Sequence, residues 1–75
     1  MNIEEKVLDL IVAATGLSKE ELLKHRTEKN QWSSLQHVEI VFALEDTFGL
    51  SFTQEELAQL TTVQNIIDCV SKKLS

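Results

Sequence analysis

Ser34 and His37 stand three residues apart, a spacing that puts a hydroxyl and an imidazole on one side of a helix. Such a pair can serve as nucleophile and base when a third group orients the imidazole and donors await the oxyanion. Neither the orienting group, the oxyanion hole nor a pocket can be assigned around it, so hydrolysis is set aside. His25 and His37 lack the clustered ligands of a metal site, and each reads as a surface histidine. Glu55 and Glu56 fall where acids favour a helix N-terminus and need no acid–base role. Cys69 is the only cysteine, which excludes an internal disulfide. It reads as a small residue at the edge of an apolar helix side rather than a reactive thiol. Ser34 itself has one further chemistry. At the first turn of a helix, unpaired N–H groups and the helix dipole favour an anion, so a phosphate ester on its hydroxyl would be well placed. On the residues alone, capping by Ser33 and Ser34 is the simpler account.

Holding a hydroxyl in that position requires a defined helix start, and the chain carries several. It has no proline, and its two glycines, Gly16 and Gly49, each follow a periodic segment, where glycine ends helices in the left-handed conformation. From about Ile3 to Ala14 the residues Ile3, Val7, Leu10, Ile11 and Ala14 recur at helical spacing, with Glu4, Glu5 and Asp9 on the wet side. Ser18 and Glu21 form a capping box with Leu17 and Leu22 as its staple, predicting a short helix over Lys19–Lys24. His25 to Gln31 reads as a polar loop without an apolar anchor, and connections of this length are often functional.

The second long helix is capped by Ser33 with Gln36 and runs from Ser34 to Phe48. Thr53 with Glu56, stapled by Phe52 and Leu57, opens a short helix to about Leu60. Thr61 with Gln64 is read as the cap of the last helix, whose inner side carries Val63, Ile66, Ile67, Val70 and Leu74. No stretch alternates with period two for long enough to make a strand. The expectation is an all-α fold, a small three-to-four-helix bundle in one domain over residues 1–75.

On a wheel at about 100° per residue, Ile40, Leu44 and Phe48 gather on one side of the Ser34–Phe48 helix with Val41 at the edge. Glu39, Glu45 and Asp46 lie on the other side, and carboxylates are seldom buried without partners. Leu35, Val38 and Phe42 fall among these acids and should be exposed or partly covered. An apolar stripe framed by acids suits docking, with apolar contact for affinity and charge for orientation. Coverage by the loop or the last helix is the bland alternative.

Charge distribution narrows the partners. The formal net charge is −5, and residues 30–71 hold six acids without a lysine or arginine before Lys72 and Lys73 return charge at the tail. Such a surface disfavours phosphate-backbone binding and favours basic protein partners, so nucleic acid is not expected. No apolar run approaches the roughly 20 residues needed to span a bilayer, and the polar, acidic stretch from Met1 to Asp9 does not read as a signal peptide. A cytoplasmic monomer without membrane association is the expectation.

The stretch from Trp32 to Leu50 resembles the Asp-Ser-Leu helix of acyl carrier proteins, carrying Ser34-Leu35, Val38-Glu39-Ile40, Ala43-Leu44-Glu45 and Phe48-Gly49-Leu50 at the family's spacing. Leu60-Thr61-Thr62-Val63 is similar to the family's lead into its last helix, and the likeness extends loosely over nearly the whole chain. By this resemblance the chain is a carrier of the acyl-carrier type and no enzyme. Ser34 then receives a covalent 4′-phosphopantetheine arm from coenzyme A by the action of a phosphopantetheinyl transferase. The cargo, acyl or aminoacyl, would ride the arm as a thioester. An aminoacyl- or acyl-loading ligase or an acyltransferase would load it, and downstream synthases of fatty acid, polyketide or nonribosomal peptide assembly would use it. Leu35, Val38, Glu39, Phe42, Glu45 and Asp46 match the family's partner-docking helix. Two positions depart from the pattern: Ser33 and Gln36 stand where the family carries acids, which thins the negative charge around Ser34. An unmodified interaction module that uses only the acidic-apolar face remains the alternative.

Overall fold

A computed structural model describes residues 2–29 and 31–74. The chain forms helices α1 (Ile3–Thr15), α2 (Lys19–Lys24), α3 (Ser34–Phe48), α4 (Gln54–Gln59) and α5 (Val63–Leu74), with no strand among the described residues. The architecture is the expected all-α bundle of three long and two short helices.

Each boundary has a local cause. Asn2 Oδ1 accepts the Glu5 N–H to start α1, and Ser18 Oγ accepts the Glu21 N–H to start α2. Ser33 with Gln36 and Thr53 with Glu56 form complete reciprocal boxes at the heads of α3 and α4. Gly16 and Gly49 end α1 and α3 at φ of 76° and 64°, where a side chain would be strained.

The last helix is capped differently from expectation. Thr62, buried, accepts the Asn65 N–H at 3.0 Å, while Thr61 is left to the Asn65 side chain. The Thr61–Gln64 box cannot form because the Gln64 N–H donates to the Arg26 carbonyl at 2.8 Å. The Gln64 side chain is likewise taken, accepting from Arg26 Nε and donating to Asp68. The guanidinium of Arg26 also pairs with Glu4. Arg26 therefore ties the long loop to both α1 and α5, an anchor of charge and backbone rather than of apolar packing.

α1 lies against α3, α5 and α2, and α4 rests on α5. Val7 and Ile11 of α1, Ile40 and Leu44 of α3, and Ile66 and Val70 of α5 are fully buried and make the centre of one core cluster. Burial of each such side chain is worth roughly 1.5–3 kcal/mol. Two details of the apolar pattern are corrected. Leu8 is buried while Leu10 is only partly so, and Leu74, the last residue of α5, is 40% exposed. On the α4 side, Lys73 pairs with Glu56 at 2.8 Å and sits 5.6 Å from the centre of the Phe52 ring.

Candidate functional site

The capping box decides where Ser34 sits. Ser33 takes an extended backbone (φ −72°, ψ 165°), its Oγ accepts the Gln36 N–H at 3.1 Å, and Gln36 Oε1 accepts the Ser33 N–H at 3.0 Å. Ser34 becomes the first residue of α3, exposed, with no hydrogen bond to its hydroxyl among the described residues. The N–H groups of Ser34 and Leu35 are among those a helix leaves unpaired at its start. No acid occupies the first turn, because Ser33 and Gln36 are the residues that close the box.

An open groove of about 360 Å³ runs beside Ser34. Trp32, Ser34, His37 and Val38 line one side, and Leu57, Leu60 and Thr61 line the other. Lys29 is its only charged lining residue.

His37 is less exposed than the surface histidine expected from its lack of clustered ligands. It is half-buried, and its Nδ1 accepts the indole N–H of Trp32 at 3.1 Å. The ring planes differ by only 13° with centroids 6.4 Å apart, so the rings lie side by side around that bond rather than face to face. Burial holds the imidazole below its ordinary pKa of 6.5. Its basic nitrogen is committed to Trp32, so the Ser34–His37 pair is not arranged for proton abstraction. His25 instead pairs with Glu28 at 2.8 Å. The Cys69 thiol is pushed up, chiefly by burial, the opposite of an activated nucleophile. Among the described residues no group of three or more histidines, cysteines or carboxylates is placed to hold a metal ion.

Farther along α3, Leu35, Val38 and Phe42 are 71%, 48% and 67% exposed, covered neither by the loop nor by α5. Leu35, Glu39, Phe42 and Asp46 follow one another at steps of four, three and four, a single ridge of alternating apolar and acidic groups. Glu45 stands apart from that ridge. It is half-buried and its Oε2 accepts the Phe52 N–H at 3.2 Å, which fastens the connector after α3. The groove, the Trp32–His37 bond and the Arg26 anchor carried no signal in the sequence. The groove and the Arg26 anchor join residues distant in the chain, and Trp32 lies before α3, so no helical period relates these groups.

A family model described as the phosphopantetheine attachment site matches residues 33–70, just over half of the chain. The chain belongs to this family, that of the acyl carrier proteins. The match runs from the Ser33 cap through α3 and α4 to Val70 of α5, so it contains the groove's far wall as well as the head of α3. In this carrier family the matched region is where 4′-phosphopantetheine is joined covalently. The residues present in this carrier fit such a group: an exposed hydroxyl without an internal partner, unpaired N–H groups beside it and an open groove along which an arm can lie. No helix among the described residues is long and apolar enough to cross a membrane.

Proposed function

We propose that the protein is a cytoplasmic acyl or aminoacyl carrier in which Ser34 Oγ bears the 4′-phosphopantetheine arm as a phosphodiester. One observation carries the assignment. Within the family match, Ser34 is the exposed hydroxyl that the capping box holds at the head of a 15-residue helix, against an open groove. The arm supplies a thiol on which cargo is held as a thioester. The chain's own residues present it: the box fixes the anchor, the helix start favours the phosphodiester's charge, and the α3 ridge meets partner enzymes. Leu35, Val38 and Phe42 would enter an apolar recess on the partner, and Glu39 and Asp46 would face its basic residues, with Glu45 adding charge from behind. Phosphopantetheinyl transferase, loading ligase or acyltransferase, and downstream synthase dock in turn. Chemistry belongs to these partners, and tethering raises the cargo's concentration at each docked site.

The test is intact mass after incubation with coenzyme A, Mg²⁺ and a broad-specificity phosphopantetheinyl transferase. The wild-type chain is expected to gain the phosphopantetheine mass quantitatively and Ser34→Ala not at all. Equal gain in Ser34→Ala moves the attachment elsewhere. No gain with any transferase leaves the α3 ridge as the surface of an unmodified interaction module.

A further inference from the structure

Trp32 and His37 form a bonded pair that attachment of an arm does not require. An indole N–H can only donate, so His37 Nδ1 must present its lone pair and the neutral ring carries its proton on Nε2. That N–H has no partner among the described residues, although His37 lines the groove with Ser34, one helical turn away. The core beneath is filled, with Ile40 and Leu44 fully buried and Leu60 at 1% exposure, so whatever lies in the groove rests on this surface.

We propose that the pair is a seat for the near half of the arm, with Trp32 holding His37 in the Nε2–H tautomer so that this N–H donates to the arm's phosphodiester. Lys29 supplies the opposing charge from the loop, and Leu57 and Leu60 face the arm's branched apolar segment across the groove. His37 is a binding residue in this arrangement, and Trp32 is a positioning residue that acts through it. The inference rests on Ser34 as the point of attachment.

The groups around His37 make its titration a usable readout. Lys29 is the one charged residue lining its groove, the first turn of α3 holds no acid, and Leu57, Leu60 and Thr61 bring no charge from the α4 side. A phosphodiester bound at Nε2–H therefore adds the nearest negative charge. One such charge about 6 Å away in water raises an imidazole midpoint by roughly half a pH unit.

The experiment follows both histidines by NMR through a pH titration of the wild-type chain, before and after modification, with completeness checked by intact mass. The His37 midpoint is expected to rise by roughly half a unit or more on modification. His25, paired with Glu28 and outside the groove lining, should not move and serves as the reference. In Trp32→Phe the rise should shrink by half or more, and imidazole ¹⁵N shifts should show both neutral tautomers. An unchanged His37 midpoint in fully modified protein overturns the seat and leaves attachment standing. An undiminished rise in Trp32→Phe overturns the positioning role. Absence of the mass gain overturns the attachment reading itself, and the seat with it.

Discussion

At the scale of single residues, the sequence singled out Ser34 by its place just inside a cap and in a family pattern, and the cap is present in the structure. His37 shows the limit of that approach. Its spacing from Ser34 was visible, but its hydrogen-bond partner is Trp32, five residues away and outside the helix. The half-burial of His37 makes stability depend on pH. Because burial lowers the His37 pKa below 6.5, the folded chain binds this proton less readily than the unfolded chain does. Stability from this group is therefore complete above about pH 6.5 and is lost as pH falls from there towards the folded pKa. A thermal scan of the wild type should show a midpoint that is level from about pH 8 to 7 and falls as the pH drops below about 6.5. His37→Gln should remove the decline in that window. A wild-type curve parallel to that of His37→Gln would disprove the linkage. At lower pH a second loss is expected as Glu56 is protonated, since its hydrogen bond with Lys73 and the Thr53 N–H hold its carboxyl below 4.5.

At the scale of the element, α3 combines Ser34, the proposed anchor, at its head with a ridge along its length. Helix rise of about 1.5 Å per residue puts Glu39 roughly 8 Å and Asp46 roughly 18 Å along the axis from Ser34. With Ser33 and Gln36 closing the cap, the acids of the ridge begin a turn and more beyond the anchor. On the proposed function, a partner would carry its basic residues set back from its active-site mouth, with an apolar recess nearer to it. Rim charges act mainly on encounter, so Glu39→Lys with Asp46→Lys should lower kcat/KM for loading by about tenfold or more and weaken its salt dependence. Helix content by circular dichroism should stay the same, because neither carboxylate has a partner within the described residues. Unchanged loading kinetics would remove the ridge from recognition. The ridge was legible beforehand because its exposure follows from a period of 3.6. The exception is Glu45, whose bond to Phe52 depends on where the chain turns after Gly49.

At the scale of the whole molecule, a small core leaves polar ties with a large share of the work. Arg26 joins the loop to Gln64 by backbone and side chain and to Glu4 by charge, so one residue connects the loop, α1 and α5. Hydrogen bonds to charged groups contribute about 1.5–3 kcal/mol where partly shielded, and this guanidinium is one-third exposed, so a value near the lower end is expected. Arg26→Ala should lower stability by roughly 1–2 kcal/mol in urea unfolding, about 4–8 °C per kcal/mol for a domain of this size. Arg26→Lys should recover little, since an ammonium cannot serve Glu4 and Gln64 together with a planar fork. A full rescue by lysine would show that charge alone matters.

The sequence by itself determined the helices, three of their caps at Ser18, Ser33 and Thr53, both glycine stops and the outward ridge of α3. All of these are set by residues within about five positions of one another, where backbone hydrogen bonding and helical period act directly. The tertiary structure decided the cap at Thr62, the Arg26 tie, the Trp32–His37 bond and the groove beside Ser34. The Arg26 tie and the groove join residues far apart in the chain, whose meeting depends on how the packed core orients the ends of α3, α4 and α5. The other two are near in sequence but are chosen by context: Thr62 replaces Thr61 as cap because the Gln64 N–H is taken by the Arg26 carbonyl, and Trp32 precedes α3, where no helical period relates it to His37.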